Sequence, residues 1–197
     1  MCNVALSGTF SAMQAAVKED YVSVEDYLAA EELSEVRHEY LGGQVYAMAG
    51  ETRAHNQIVG NLYAALRQQL RRGPCRLYVS DIRVNLSLRE DEYYYYPDIV
   101  VTCDARDDHP RFVRQPKLII EVSSPGTERV DRREKFFAYT TIESLEEYLL
   151  VAQSVPEVTV FRRSNRWRPE KIEGAGATVT LTSLDFVLPF ETIYEGV

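Results

Sequence analysis

Two short apolar runs carry one carboxylate each: YYPDIVV at 95–101 holds Asp98, and PKLIIEV at 116–122 holds Glu121. Both are β-branched, of strand length and bounded by turn-formers. An ionised carboxylate in such a strand is costly to desolvate unless a cation or hydrogen-bond donors meet it. If the runs pair side by side, the two acids converge on one divalent cation. Two carboxylates plus waters form a donor set that suits Mg²⁺ or Mn²⁺, and the chemistry implied is metal-assisted hydrolysis of a phosphodiester. Taken singly, each acid has a plainer reading. Asp98, after Pro97, serves equally as a loop or cap aspartate. Glu121, among Leu118, Ile119, Ile120 and Val122, serves as half of a structural ion pair.

A cation belongs beside such a pair. Lys135 lies on DRREKFFAY (131–139), a helical stretch on which Phe136 and Tyr139 mark the packed face, so its stem can run along buried surface. From there an ammonium can orient an attacking water or neutralise charge developing on phosphate. The alternative is a surface lysine paired with Asp131, one turn back. Arg129, Arg132 and Arg133 adjoin the same stretch and are the candidate contacts to a nucleic-acid backbone. Two other basic clusters, at 67–72 and 162–168, are remote from the acids and read as solvated faces.

The elements that must position these groups follow from pattern. SVEDYLAAEEL (23–33) opens with a Ser-x-x-Asp cap and predicts a short helix. Gly42-Gly43 predicts a hairpin turn between two short strands. Residues 54–72 predict a long helix with Ile58, Leu62, Ala65, Leu66 and Leu70 on one stripe, stopped by Gly73-Pro74. Strands are expected near 76–80, 82–88, 93–102, 117–123, 145–152, 157–163 and 167–172, with a loop at 104–115, helices at 131–141 and 189–194, and a turn at 124–127. In Tyr93 to Tyr96, alternation sends two rings to each face, for core and edge packing or for stacking on bases. Residues 1–20 have no period and are expected to be a loose arm, with one domain at 21–197. The order gives an α/β or α+β class with a mixed central sheet.

Composition narrows the function. The net charge of −8 argues against a nonspecific nucleic-acid coat protein and leaves a nuclease open. No apolar run reaches the roughly 18 residues that span a bilayer, and the N-terminus has no signal-peptide pattern. Cys2, Cys75 and Cys103 are widely spaced and read as incidental reduced thiols, which suits a cytoplasmic protein.

Together, Pro97-Asp98 and EVSSPGTERVDRREK (121–135) with Tyr139 resemble the Uma-type restriction endonuclease family of the PD-(D/E)XK nuclease superfamily. HEYLGGQVY (38–46), the Ala54-His55-Asn56 helix start and Ser80-Asp81-Ile82 match its layout too, so the resemblance spans about residues 20–190. It implies a restriction-endonuclease-like αβββαβ core preceded by a helix and hairpin. It also implies Asp98 and Glu121 as ligands of Mg²⁺ (or Mn²⁺) and DNA as the substrate. The superfamily's strand lysine would stand at Ser123. The resemblance implies that Lys135 reaches in from the next helix instead. Glu39, His55 and Asp81 are accessory candidates: an early acid, a group touching phosphate or water, and an acid supporting the site. Their plainer readings are an exposed strand charge, a helix-start residue and a turn. Because a duplex needs two cuts, a homodimer is expected. A noncatalytic module of the same fold, binding nucleic acid or protein, is the contending reading.

Overall fold

A computed structural model describes residues 21–123 and 131–197, with the side chains of Asp131 and Arg132 excepted. The loose arm expected at 1–20, the turn at 124–127 and Arg129 lie outside the described residues.

The first helix, α1 (Val24–Leu33), starts where its cap predicts: Ser23 Oγ accepts from the Asp26 amide at 3.1 Å, an interaction worth about 1 kcal/mol. The hairpin β1 (His38–Leu41) and β2 (Gln44–Ala47) turns at Gly42 and Gly43, whose φ angles of 56° and 100° favour glycine. Helix α2 (Arg53–Leu70) follows. Next come β3 (Arg76–Val79), β4 (Arg83–Leu88), β5 (Asp91–Tyr95), β6 (Ile99–Thr102), β7 (Phe112–Val113) and β8 (Pro116–Ser123). A π-helical turn, Asp131–Lys135, runs into α3 (Phe136–Thr140). The chain ends in β9 (Glu147–Ala152), β10 (Glu157–Arg162), β11 (Pro169–Glu173), β12 (Thr178–Leu181), β13 (Phe186–Pro189) and α4 (Phe190–Ile193).

These strands form two main sheets, ordered β2-β1-β5-β4-β7 and β11-β10-β9-β8-β6-β3, and a separate β12-β13 hairpin. The mixed central sheet expected from the pattern is the six-stranded one, in which β6 and β8 are neighbours, and the five-stranded sheet adds to it. The single strand expected at 93–102 is corrected: its halves, β5 and β6, belong to different sheets. Pro97 lies at the break, where a residue without an N–H cannot continue the ladder. The β12-β13 hairpin, with its alternating Thr-Val-Thr-Leu, was not anticipated. Within the six-stranded sheet the path α2-β3-β6-β8-α3-β9 reproduces the αβββαβ core, with β4-β5 an excursion to the other sheet.

Alternation along β8 explains its apolar run. Leu118, Ile120 and Val122 enter one core with Ile58, Leu62 and Leu66 of α2, while Ile119 enters the other with Ala138 and Tyr139 of α3. A strand buried on both faces needs no polar alternation. Full burial of each such side chain is worth about 1.5–3 kcal/mol. Because β8 and β9 pair in parallel, a crossover must join them, and the helical segment 131–140 of that crossover lies on the Ile119 face. Tyr27, Tyr40, Tyr94 and Phe112 form a third, aromatic cluster beneath α1. Of the four consecutive tyrosines, Tyr94 packs in this cluster, Tyr93 and Tyr95 in the one beneath α3, and Tyr96 is buried with its hydroxyl on Glu31.

The incidental-thiol reading of the cysteines is corrected as well. Cys75 and Cys103 form a disulfide with Cα atoms 4.0 Å apart. The antiparallel register of β3 and β6, with Arg76 opposite Thr102, places the two cysteines face to face. Cys75→Ser is expected to cost about 3 kcal/mol of stability in urea unfolding without reductant. Adding dithiothreitol should bring the wild type down to the variant's midpoint. No described helix is long and apolar enough to cross a membrane.

Candidate active site at the ends of β6 and β8

Asp98 directly precedes β6, and the register Ile99 to Ile120 sets it opposite Glu121 on the neighbouring strand. Asp98 Oδ2 accepts from the Val122 amide at 2.7 Å and lies 3.1 Å from His55 Nε2. The carboxylate therefore caps the end of β8 and is also steered by a side chain of α2. His55 is fixed from its own side: its amide donates to Oγ1 of the helix cap Thr52 at 3.1 Å, and its ring is buried. Both groups line an open cleft of about 450 Å³, with Arg37, Glu51 and Asp81 on its other walls.

Glu121 is 4% exposed. Its Oε1 lies 3.3 Å from Lys135 Nζ and accepts from the Tyr139 hydroxyl at 3.2 Å. Lys135 Nζ also lies 2.9 Å from Glu39 Oε1, so the ammonium bridges two acids, and it sits 5.9 Å from the centroid of the Tyr95 ring. Glu39 Oε1 accepts in addition from the Tyr96 amide at 3.1 Å, which ties the hairpin to the chain just before Asp98. Burial, followed by the charges of Glu121 and Glu39, pushes the Tyr139 hydroxyl well above its ordinary range, so Tyr139 stays protonated and donates. A buried ion pair is held at this strength only where further hydrogen bonds satisfy its oxygens. The tyrosine and the Tyr96 amide provide them.

The structure thus gathers Glu39, Glu121 and Lys135 in one cluster, and Asp98 with His55 beside it at the end of the sheet. Lys135 is buried rather than superficial, and Glu39 is held inside by its two partners rather than exposed on a strand. Asp81 takes the turn position that was its plainer reading. It is exposed and paired with Arg37 at 2.6 Å, because the turn after β3 swings it to the rim of the cleft instead of toward Glu121. Ser123 is buried on the Glu121 face, its hydroxyl 3.5 Å from the Val151 carbonyl, and supplies no charge. Of the three arginines proposed to meet nucleic acid, Arg133 is exposed; Arg129 and the side chain of Arg132 lie outside the described residues. Sequence reasoning missed the donor role of Tyr139. Its spacing of four from Lys135, one helical turn on the same face, was the available signal.

Among the described residues no three His, Cys, Asp or Glu side chains gather to enclose an ion. Two carboxylates completed by water are nonetheless a sufficient set for Mg²⁺, which keeps several waters. Among the described residues Asp98, Glu121 and Glu39 against Lys135, with His55 counted as neutral, leave two formal negative charges, so the chemistry of the donor set fits a divalent cation.

Known proteins share this chain's sequence and architecture. It is 33% identical over 178 residues to "Uncharacterized protein slr1290" of Synechocystis, spanning 89% of this chain and 92% of that one. A second Synechocystis protein, "Uncharacterized protein sll1609", is 31% identical over 159 residues, 78% and 89% of the two chains. The crystal structure of a "putative nuclease belonging to DUF820" from Anabaena variabilis superposes with a TM-score of 0.74 at 17% identity, covering 88% of this chain and 97% of that one. That likeness supports the restriction-endonuclease-like fold. Residues 24–191, nearly the whole described chain, match the model of the Uma2 family, whose description reads "Putative restriction endonuclease": the chain belongs to that family.

Proposed function

We propose that this protein is a Mg²⁺- or Mn²⁺-dependent endonuclease that hydrolyses DNA phosphodiester bonds. The observation that carries the reading is the buried Lys135 ammonium, shared between Glu39 and Glu121 on the strand end directly opposite Asp98. Asp98 and Glu121 would hold the ion, which when bound would polarise the phosphate and lower the pKa of a coordinated water. The chain's own groups do the rest. Val122 N–H and His55 orient Asp98 toward the cleft. Tyr139 and Lys135 fix the Glu121 carboxylate. Lys135 then places its positive charge beside the attacking water or the phosphate oxygen on which charge grows. Glu39 keeps the lysine aimed and is a positioning residue.

One active site per chain makes one cut, so we assign duplex cleavage to a homodimer. Exposed Leu33 at the end of α1, Val36 after it, and Val45 and Tyr46 on the edge strand β2 support the helix and hairpin as the interface.

The test is nicking of supercoiled plasmid in Mg²⁺, in Mn²⁺ and in EDTA, by the wild type and by Asp98→Asn. Nicking should require the metal, and Asp98→Asn should fall by at least about 100-fold, in line with the loss of one electrostatic contact to the transition state. Calorimetric Mg²⁺ binding should weaken with it. A wild type that binds DNA but cuts under none of these conditions would instead be the noncatalytic module.

A further inference from the structure

Arg83, the first residue of β4, has its guanidinium inside the protein, 3% exposed. Its Cζ lies 5.6 Å from the ring centroid of Tyr27, 5.7 Å from that of Tyr94 and 5.8 Å from that of Tyr96. Burial pushes the Tyr27 hydroxyl up to about 12, and Arg83, within hydrogen-bonding reach, opposes that rise. Nε and Nη1 are a different matter: both are buried and, among the described residues, have no hydrogen-bond partner. A guanidinium carries five donors and cannot shed its charge. Buried polar groups are nearly always satisfied, so three idle N–H donors on two nitrogens of one cation call for an occupant.

The surroundings say what kind. Arg83 lines an open cleft of about 510 Å³. The acids on its walls have partners of their own: Glu31 accepts from His38 and Tyr96, Glu32 pairs with Arg111 at 3.2 Å, and Asp81 pairs with Arg37. Among the described residues none of them pairs with Arg83. Arg37, Asp81 and Tyr96 also wall the cleft that holds Asp98 and His55. The Ser80 amide, three residues before Arg83, donates to the Asp98 carbonyl at 3.0 Å. The two clefts therefore adjoin.

We propose that Arg83 binds a DNA backbone phosphate neighbouring the one that reaches Asp98 and Glu121, with Arg37 and Arg111 at the rim of its pocket. The inference rests on the nuclease reading for its substrate. Three tyrosine rings pre-orient the guanidinium, and its planar donors suit phosphate oxygens better than a lysine would. A contact of this kind sets the register of the strand in the cleft and carries no sequence information.

The test uses a labelled duplex in EDTA, where no cut occurs, with affinity read by fluorescence anisotropy across a salt series. Arg83→Met, which keeps an apolar stem among the tyrosines, should weaken binding about tenfold and lower the salt slope by about one. Arg111→Ala, at an exposed position, should weaken it less. Inorganic phosphate at constant ionic strength should raise the melting temperature of the wild type and not that of Arg83→Met. Unchanged affinity and slope in Arg83→Met overturn the proposal. If that variant does not fold, unchanged duplex affinity in Arg111→Ala together with no phosphate-induced rise in the wild type overturns it. A phosphate effect without a duplex effect marks a free-anion site and overturns the DNA assignment. Plasmid nicking separates the two readings. A wild type that nicks while Arg83→Met binds normally sinks only the pocket; one that binds through Arg83 and never nicks sinks only the nuclease.

Discussion

Lys135→Met is expected to slow plasmid nicking by at least about 100-fold at saturating Mg²⁺, the scale seen when one preorganised donor to a transition state is removed. The ammonium is the sole cation within ion-pair distance of Glu39 and Glu121 among the described residues. A thioether of similar length fills the space and donates nothing. Metal binding should respond in the opposite sense. With the lysine gone, two carboxylates lose their counter-charge and gain more from a divalent ion, so calorimetric Mg²⁺ affinity should hold or rise. This contrasts with Asp98→Asn, which should lose cutting and binding together. The variant's melting temperature should recover on adding Mg²⁺ for the same reason. Near wild-type nicking by Lys135→Met would reduce Lys135 to a structural counter-ion.

The second large effect lies away from the site. Glu147→Ala should lower stability by about 3–5 kcal/mol, the cost of breaking a buried ion pair by removing one partner. Glu147 is 1% exposed and accepts from Arg162 Nε at 2.8 Å, the Thr182 amide at 3.1 Å and hydroxyl at 2.9 Å, and the Ser183 amide at 2.9 Å and hydroxyl at 2.5 Å. Burial by itself pushes this carboxyl upward. The Ser183, Arg162 and Thr182 hydrogen bonds together outweigh it and hold the group below the ordinary carboxylate range. A lowered pKa in the folded state means that the contribution is fully present above the unfolded value and is lost as pH falls through the folded one. The gap between wild type and Glu147→Gln in urea midpoint should therefore be widest near neutrality and close in acid, below the usual carboxylate range. A gap independent of pH would show that packing, not charge, is what the glutamate provides.

Local pattern was enough for much of this protein. The Ser23 cap, the Gly42-Gly43 turn, the apolar stripe of α2 and the β-branched runs of β6 and β8 are each written within a dozen residues, because caps, turns and amphipathic periods depend on neighbours in the chain. The pairing of the strands that carry Asp98 and Glu121 was legible for a related reason: buried runs interrupted by acids have few places to go. Tertiary structure alone decided the rest. Pro97 marks a break in 93–102, but which sheet each half joins depended on the partners that packing offered it. The Cys75–Cys103 bond depended on strand register across an intervening excursion. Glu39, Arg83 and Glu147 are ordinary charged residues in sequence. What separates them is the partner each meets inside: a lysine from a later helix, three tyrosine rings, and the hydroxyls and amides of the β12–β13 turn. Those partners lie tens of residues away along the chain, and only the packed sheets bring them within the few ångströms over which a hydrogen bond acts.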